Sequence, residues 1–385
     1  MSGLFTYLDA AATEQLRFLE RLVNIDSGTY NKAGVDEVGA VLAAGLRELG
    51  FTVSTHPQRE LGDHVVGHKP GTSGKELLLV GHMDTVYPKG TPQERPFRVE
   101  AGRAYGPGVY DMKGGLAVII YALKALRSTN PAVWQQLGFR VVFNSDEEVG
   151  SDTSRDLIAR EARRAQAACV LEPARAGGEY VRQRKGVGMF KLTVRGKSAH
   201  AGAQPELGAN AVADLAHKVA LLHGLTNFET GLTVNVGVIR GGERSNVVPD
   251  LAEADIDIRV TTLAMMEAVT AELHRITETV HVPGTAAALT GEFKHHPMEY
   301  TPGVQRLFAI LEQAGAEVGF AVKNIATGGG SDGNNTSQYT PTMDGMGPRG
   351  NFAHSPNEYV EIDSLPERTK ALARFIELWM AAEQV

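Results

Sequence analysis

Short apolar runs that each end in polar residues restrict the fold of this chain more than any other feature of its sequence. Three of them lie in its first half: "ELLLVG" at 76–81, "FRVVFNSD" at 139–146 and "AACVLEP" at 167–173. Segments with helical periodicity lie between or before them, such as "GGLAVIIYALKALRS" at 114–128. Strands that alternate with helices predict an α/β fold, with a mostly parallel sheet covered by helices on both faces.

The pattern changes between about Val187 and residue 293. The strand "GMFKLTVRG" and the helix "LGANAVADLAHKVALLHGL" are followed by two strands, a second helix and a last strand. This βαββαβ order is that of a ferredoxin-like unit, with one small antiparallel sheet and two helices on one side. The first pattern then returns. We therefore expect an inserted domain at 184–294 within a larger domain formed by 1–183 and 295–385.

The composition argues against several classes of function. A formal net charge of -7 does not favour binding to nucleic acid or to an anionic membrane. No apolar run approaches the roughly 20 residues that a membrane-spanning helix needs. The start of the chain has the pattern of a first helix and not that of a signal peptide. Cys169 is the only cysteine, so we expect a cytoplasmic protein without internal disulfide bonds.

Polar residues at the ends of the apolar runs are the candidates for a functional site. The carboxyl ends of parallel strands meet at one edge of a sheet, so residues that follow them converge on one crevice. The irregular stretches "GPGVYDMKGG" and "GNFAHSPNEYV" supply two more candidates. The complete set is His82, Asp84, Asp111, Asp146, Glu147, Glu148, Glu172 and His354.

The imidazole and carboxylate groups in this set are ligands that suit zinc or a similar divalent ion. A single catalytic zinc needs about three protein ligands, whereas five plausible ones are present here. That number fits two metal ions that share one carboxylate, an arrangement that activates a water and polarises a carbonyl oxygen. The five are His82, Asp111, Glu148, Glu172 and His354.

The adjacent pair Glu147 and Glu148 is expected to divide two roles. Neighbouring side chains at a strand end point in different directions, so one of the two can bind metal while the other faces the water as general base. Asp84 is expected to accept the free ring N–H of His82 and to fix its orientation. Taken singly, each motif also fits an ordinary loop. Four other histidines are interpreted as incidental surface residues: His64, His68, His295 and His296.

Six motifs occur together in a fixed order: "GHMDTV", "GPGVYDMKGG", "DEEVGS", "EPA", "GKSAHAG" and "AHSPNEYV". With them the chain, from about residue 15 to its end, resembles the co-catalytic zinc exopeptidases. That family includes glutamate carboxypeptidase, aminoacylase, acetylornithine deacetylase and succinyl-diaminopimelate desuccinylase. The stretches "GHMDTVYPKG", "PFRVEAGRAYGPG" and "GGGSDG" are most similar to its bacterial folate-cleaving glutamate carboxypeptidase branch.

The resemblance implies a role for each candidate of the metal site. Asp111 would bridge both ions, and its peptide bond to Met112 would be cis, although Tyr110 stands where a small residue is commoner. The other ligands would be divided between the two ions: His82 and Glu172 on one, Glu148 and His354 on the other. Glu147 and Asp84 would have the roles of base and supporting residue described above.

The inserted domain resembles the lid and dimerisation domain of that family, which implies a homodimer. His200 in "GKSAHAG" resembles the residue that reaches the active site of the partner subunit and assists catalysis there. Asn246 and Arg259 resemble residues that bind the substrate carboxylate. The loop "TGGGSDG", with Thr327 and Gly330, resembles the loop that lines the substrate site.

We therefore predict a two-zinc metallohydrolase, with Co²⁺ or Mn²⁺ as possible substitutes, that cleaves an amide bond and releases a C-terminal amino acid. Its activity would be like that of a glutamate carboxypeptidase, with a small peptide or N-acyl amino acid as substrate. An N-acyl-amino-acid deacylase of the acetylornithine deacetylase or desuccinylase type uses the same chemistry and stays as the alternative. A non-catalytic binding protein on this fold is disfavoured, because all seven metal and catalytic positions on the large domain hold competent residues.

Overall fold

A computed structural model describes residues 3–382 of the chain. The chain forms two compact units. The first runs up to Arg182 and also takes in Tyr300–Ala326 and the chain from Ser331 onward. The second consists of Gln183–Glu299 and Thr327–Gly330.

From Gly3 to Arg184 the chain alternates between helices and strands. Two short helical turns lie in the loops between them: an irregular turn at Val109–Lys113 and a 3-10 turn at Glu147–Val149. The elements are α1 (Gly3–Val23), α2 (Lys32–Glu48), β1 (Thr52–His56), β2 (His64–Lys69), β3 (Glu76–His82), α3 (Thr91–Glu94), β4 (Arg98–Glu100), β5 (Arg103–Tyr105), α4 (Gly114–Thr129), α5 (Pro131–Gln136), β6 (Gly138–Asn144), α6 (Arg155–Ala162), β7 (Ala167–Val170) and β8 (Tyr180–Arg184).

The rest of the chain follows the predicted change of pattern and its return. The inserted segment contains β9 (Gly186–Arg195), α7 (Ala211–His223), β10 (Thr233–Gly241), β11 (Leu251–Val260), α8 (Leu263–Glu278) and β12 (Ala286–His295). After it come α9 (Pro302–Val318), β13 (Asn324–Thr327), α10 (Asp332–Thr336), β14 (Thr342–Met343), β15 (Gly350–Asn351), β16 (Tyr359–Glu361) and α11 (Ser364–Ala381).

The main sheet of the first unit has the strand order β1-β2-β6-β3-β7-β14. β3 pairs in parallel with β6 and with β7, and β14 pairs in parallel with β7. β1 and β2 extend one edge as antiparallel strands, which the sequence analysis did not predict. The predicted α/β class, with a mostly parallel sheet, is confirmed.

Helices cover both faces of this sheet, as the side chains of β3 show. Leu77 and Leu79 pack in one apolar cluster with residues of α1, α4 and α11, whereas Leu78 and Val80 pack in another with residues of α6. All four side chains are fully buried, and burial of each contributes about 1.5–3 kcal/mol. The strand is therefore fixed on both sides up to its last residue, His82.

His64 in β2 departs from its interpretation as a surface residue. It is 1% exposed, so that interpretation is wrong. Its Nε2 lies 3.1 Å from the Thr153 hydroxyl and its Nδ1 lies 3.0 Å from the Ser145 hydroxyl. A buried imidazole needs a partner for each ring nitrogen, and the two hydroxyl groups provide them.

A second small sheet of the first unit, with the order β15-β16-β5-β4, was also not predicted.

The second unit contains an antiparallel sheet with the strand order β10-β11-β9-β12. α7 and α8 pack on it and on each other. Along β11 buried residues alternate with less buried ones, as expected for a sheet with one covered face. This confirms the predicted ferredoxin-like unit. No helix within residues 3–382 is long and apolar enough to cross a membrane.

Candidate metal centre

The predicted metal ligands on the sheet come from the carboxyl ends of three neighbouring strands of the first unit. His82 is the last residue of β3. Glu148 follows β6 within the single helical turn Glu147–Val149, and Glu172 follows β7 by two positions. The parallel pairing of β3 with β6 and β7 brings these three strand ends to one edge of the sheet. Asp111 and His354 reach the same place from loops.

The Asp111 carboxylate lies between two histidines. Its Oδ1 is 3.2 Å from Nε2 of His82, and its Oδ2 is 3.2 Å from Nε2 of His354. Nε2 of His354 is also 3.2 Å from Glu148 Oε2, and Nε2 of His82 is 3.6 Å from Glu172 Oε1. The two oxygens of Asp111 therefore face different groups of side chains: Oδ1 faces His82, which lies near Glu172, and Oδ2 faces His354, which lies near Glu148. This arrangement suits a residue shared by two metal ions.

The loop before Asp111 has a conformation that depends on its glycines. Gly108 has φ +74, and a Cβ there would come within 2.5 Å of the Thr85 side chain, so a larger residue would be strained and crowded. The peptide bond between Asp111 and Met112 is cis, as the resemblance implies. Tyr110, the unusual residue in this motif, is buried, and its hydroxyl donates a hydrogen bond to the backbone oxygen of Ala174.

Asp84 contacts His82 in a different way from the predicted one. The ring Nδ1 of His82 lies 2.9 Å from the backbone oxygen of Asp84 but 3.5 Å from its carboxylate. The backbone carbonyl is therefore the nearer acceptor for the ring N–H. The Asp84 carboxylate accepts the Thr29 hydroxyl at 2.8 Å and the backbone N–H groups of Glu147 and Glu148 at 3.3 and 3.4 Å. It thus supports both the histidine and the adjacent acidic pair.

Hydrogen bonds of the residues that flank it, Asp146 and Ser151, also fix the turn that carries Glu147 and Glu148. Ser151, which has a positive φ of 57, donates its hydroxyl to the buried carboxylate of Asp332 at 2.7 Å. Asp146, another sequence candidate, accepts the backbone N–H and the hydroxyl of Thr153, both at 2.7 Å. Asp146 therefore orders the segment before α6. The sequence analysis missed the contributions of Thr29, Ser151 and Asp332, although "GS" and "SDG" lay within motifs that it quoted.

The charges in the centre perturb its histidines and its proposed base. Burial by itself lowers the pKa of His82, but its contacts with Asp111 and Asp84 and the charges of Glu172 and Glu147 raise it well above the ordinary value. Hydrogen bonds to Asp111 and Glu148 raise the pKa of His354 to about 10. Burial, followed by the charge of Glu172, raises the pKa of Glu147 well above its ordinary value. The negative charges of the acidic residues therefore stabilise positive charge within the centre.

The donor atoms fit divalent metal ions. Two groups of three side chains bring one donor atom each within 4.8 Å of one another: His82 with Asp111 and Glu148, and His82 with Glu147 and Glu172. Oε1 of Glu148 is buried and has no hydrogen-bond partner among residues 3–382. A buried carboxylate oxygen without a donor is costly, and a metal ion would satisfy it. His354, by contrast, is half exposed and borders the solvent.

The other predicted residues, His200, Asn246, Arg259, Thr327 and Gly330, belong to the second unit. His200 is exposed, and its Nδ1 accepts the backbone N–H groups of Gly202 and Ala203, both at 3.1 Å. In the neutral ring the proton is therefore on Nε2, which becomes a hydrogen-bond donor. The segment of Asn246 lies beside it, because the backbone oxygen of Asn246 accepts the N–H of Ala201 at 3.0 Å.

Arg259 and the glycine-rich loop have partners of their own within the second unit. The Arg259 guanidinium makes two hydrogen bonds of 2.9 Å with Asp257, two positions earlier on β11. The backbone oxygen of Thr327 accepts the N–H of Lys185 at 3.1 Å. The backbone oxygen of Gly330 accepts a guanidinium N–H of Arg184 at 3.2 Å. The structure thus groups the seven residues of the metal centre in the first unit and these five in the second.

Comparisons with known proteins agree with this geometry. A model of peptidase family M20/M25/M40 matches residues 78–378. Carboxypeptidase G2 of Pseudomonas sp. (strain RS-16) is 35% identical over 379 residues, which cover 95% of this chain and 90% of the relative. Succinyl-diaminopimelate desuccinylase of Paracidovorax citrulli is 28% identical over 385 residues, which cover 93% of this chain and 96% of the relative.

Solved structures share the fold over nearly the whole chain. Aminopeptidase PepT from Bacillus cereus matches with a TM-score of 0.81 at 23% identity, covering 95% of this chain and 98% of that one. A Bacillus subtilis protein described as a dinuclear metal binding peptidase matches with a TM-score of 0.72 at 16% identity, covering 97% and 99%. These structures show the fold, and the family match confirms the resemblance that the six motifs indicated. The chain belongs to peptidase family M20/M25/M40 and is a metallopeptidase that hydrolyses amide bonds.

Proposed function

We propose that this enzyme uses two metal ions, zinc in the first place and Co²⁺ or Mn²⁺ as substitutes, to release a C-terminal amino acid from an N-acylated substrate. One observation carries the proposal: each oxygen of Asp111 lies 3.2 Å from a different histidine. His82, Glu172 and Asp111 would hold one ion, and Glu148, His354 and Asp111 the other. The 35% identical relative is named a carboxypeptidase, which supports release of a C-terminal amino acid, and the motifs that resemble the glutamate carboxypeptidase branch favour glutamate as that amino acid.

The residues of the chain divide the chemistry. Bound metal ions would supply a Lewis acid for the scissile carbonyl and would favour ionisation of the attacking water. Glu147 takes the proton of that water and delivers it to the leaving amine. Asp84 holds His82 and the Glu147–Glu148 turn in place.

His200 would donate a hydrogen bond to the developing oxyanion from Nε2. The contacts of its Nδ1 support this role, because they leave the ring proton on the other nitrogen. Arg259 and Asn246 would bind the free α-carboxylate of the substrate, with Thr327 and Gly330 in the loop beside it. Arg259 would exchange Asp257 for the substrate carboxylate, a charge-assisted pairing of the same geometry.

Exposed apolar side chains close in sequence to residues of the candidate centre support an apolar acyl group on the substrate. Within the described part of the first unit, six large apolar side chains are exposed. Two of them, Val99 and Tyr339, are remote in sequence from the predicted site residues. The other four each lie within two positions of Thr29, Asp84, Glu148 or His354, and we call them the apolar rim: Tyr30, Val86, Val149 and Phe352.

The apolar rim distinguishes the two candidate activities. A succinyl group carries a carboxylate, which gains nothing from apolar surface and loses hydration beside it. An aromatic or other apolar acyl group gains about 25 cal/mol for each Å² that it buries. We therefore prefer the carboxypeptidase to the N-succinyl or N-acetyl deacylase, although the desuccinylase relative keeps the latter as the second candidate.

We also propose a cytoplasmic homodimer in which 184–294 is the lid and dimerisation domain, and 1–183 with 295–385 is the catalytic domain. β10 is an edge strand of the second sheet, with Val238 and Ile239 40% and 55% exposed. An uncovered apolar edge favours pairing with another strand, and two copies pair by a two-fold axis. Ile239→Lys should give a monomer by light scattering. If His200 acts in the partner subunit, that monomer should also be inactive.

A hydrolysis screen tests the function. Metal-replete enzyme is assayed with N-benzoyl, N-acetyl and N-succinyl derivatives of glutamate and of other amino acids. We expect the highest kcat/KM for N-benzoylglutamate, and a fall of about 10-fold in Val149→Ser and Phe352→Ala. The control Val99→Ser should keep the wild-type preference. A preference for N-succinyl substrates would establish the deacylase instead, and hydrolysis of none of them would overturn both.

A further inference from the structure

A carboxylate outside the predicted ligand set supports the loop that carries Asp111. Glu358 is 2% exposed and directly precedes β16. Its Oε1 accepts the backbone N–H groups of Tyr110 and Asp111, both at 2.9 Å, and its Oε2 accepts that of Gly108, also at 2.9 Å. Three amides of one short loop thus converge on a single buried side chain. The loop and Glu358 both belong to the first unit.

The same carboxylate is connected to the loop of the other histidine ligand. Glu358 follows His354 by four positions. The Tyr87 hydroxyl lies 2.6 Å from Glu358 Oε2 and 2.8 Å from the backbone oxygen of Ser355. Tyr87 therefore contacts both Glu358 and the residue next to His354. Tyr87 lies three positions after Asp84, so three of the segments that form the centre meet at Glu358: those of Asp84, Asp111 and His354.

We propose that Glu358 is a positioning residue that fixes the Asp111 and His354 loops relative to each other, so that the shared ligand is in place before metal binds. The inference rests on the two-metal function proposed above. Asp111 must aim one oxygen at each ion, which requires its backbone to be held to a fraction of an ångström. A buried carboxylate loses much of its hydration, and three N–H groups and a hydroxyl replace it only while the loop keeps this conformation.

A purely structural role is the competing explanation, and the second unit offers a matched control for it. Asp214 in α7 is 1% exposed. Its carboxylate accepts the backbone N–H groups of His281 and Val282 at 2.8 and 3.1 Å. Asp214→Asn and Glu358→Gln each replace a buried carboxylate that accepts backbone N–H groups by an amide of the same size. They differ in that Asp214 also pairs with Lys218 at 3.4 Å, and in that only Glu358 contacts a loop of the metal centre.

The test measures binding of Co²⁺ to metal-free protein, by visible absorption with a competing chelator, together with the Tm of the metal-free form. Wild type, Glu358→Gln, Tyr87→Phe and Asp214→Asn are compared. We expect both carboxylate variants to lower the metal-free Tm. Of these two, Glu358→Gln alone should weaken Co²⁺ binding, by about 10- to 100-fold. Tyr87→Phe should also weaken it, but less, because the three backbone contacts of Glu358 remain.

Two outcomes would overturn the role of Glu358: wild-type Co²⁺ affinity in Glu358→Gln, or an equal loss of affinity in Asp214→Asn. If Glu358→Gln does not fold, Tyr87→Phe decides, and an unchanged Co²⁺ affinity in that variant overturns the proposal. Absence of Co²⁺ binding by the wild-type protein would contradict the two-metal function itself. Failure of the inference and failure of the proposed function are thus separate results.

Discussion

The two sheets of this protein differ in what covers them and in where they keep their charged groups. β3 of the first unit is buried along six of its seven residues, with helices on both faces. β11 of the second unit alternates, and its less buried face carries Asp255 and Asp257 paired with arginines. A sheet covered on both sides can present polar groups only at its strand ends. The polar groups of the first sheet are therefore concentrated at its strand ends, whereas those of the second sheet are spread over its less buried face.

The difference shows where burial of charge indicates function. The ion pairs on the second sheet are partly exposed, as with Arg240 and Asp255, and such pairs contribute little to stability. His82, Asp84 and Glu358 of the first unit are almost fully buried. Buried charges are costly unless they are paired or bind a metal ion. Their concentration around His82 therefore indicates a functional centre in the first unit, whereas the buried Asp214 of the second unit is paired with Lys218.

The largest expected effect tests whether the chemistry resides in the first unit. Glu147→Gln should lower kcat by about 10²- to 10⁴-fold and should keep its metal, because the proposed base is not a ligand. Glu253→Gln in the second unit removes a carboxylate that pairs with Lys191 at 2.9 Å and should leave kcat unchanged. Assays of kcat and metal content on both variants decide. Near-normal turnover in Glu147→Gln would remove the base from the mechanism.

A smaller effect separates the shared ligand from the residue that supports it. Asp111→Asn should lose most of its metal, because one carboxylate serves both clusters. Asp84→Asn should lower metal affinity or activity by about 10- to 100-fold, since its carboxylate contacts Thr29 and two backbone N–H groups. Metal analysis after dialysis against a chelator checks both. Equal metal loss in the two variants would contradict the division of roles.

Loss of a substrate contact from the second unit should have an effect of about the same size as Asp84→Asn, but on substrate preference and not on metal content. Arg259→Ala should lose the preference for a free over an amidated α-carboxylate, by about 10- to 100-fold in kcat/KM, the value of a charge-assisted hydrogen bond. Arg240→Ala is the control, since Arg240 makes a comparable 2.8 Å pair with Asp255 on the same sheet. Wild-type discrimination in Arg259→Ala would show that another group binds the carboxylate.

The smallest effect concerns the pH dependence of stability. Burial lowers the pKa of His64, against the charge of Asp146. Below about pH 6.5 the unfolded chain therefore binds a proton at His64 that the folded chain does not bind. The contribution of the neutral His64 to the free energy of unfolding is fully present above about pH 6.5 and is lost as the pH drops below it. His64→Gln should flatten the decline of Tm between about pH 7.5 and 5. His68→Gln, at a partly exposed position, should not, and equal slopes in wild type and His64→Gln would refute this.

Most of the fold was predictable because its main elements have strong periodicity. The apolar runs of β3, β6 and β7, the helix α4 and the βαββαβ insertion all appear where the sequence predicted them. β1 was not predictable, because its residues are mostly exposed and show no alternation. β15 and β16 have two and three residues, too few for any periodic pattern. These short strands depend on the tertiary structure.

The proposed metal ligands each come from a recognisable motif in the sequence, but the contacts that support them do not. Ser151 bonds to Asp332 across 181 positions, and Glu358 bonds to Asp111 across 247. No local pattern signals a carboxylate that accepts backbone N–H groups so far away in sequence. The sequence predicted the carboxylate of Asp84 as the acceptor for the His82 ring, whereas the backbone oxygen of Asp84 lies nearer to it. The choice between these two acceptors depends on the local backbone conformation.

The most direct test of the central claim is a Co²⁺ titration of metal-free enzyme, with visible absorption and hydrolysis of N-benzoylglutamate followed in the same samples. Two ions that share Asp111 should give an absorption end point at about two equivalents per chain, with full activity reached only there. The Asp111→Asn variant should show no such end point. An end point at one equivalent with full activity, or hydrolysis in the absence of metal, would contradict the account.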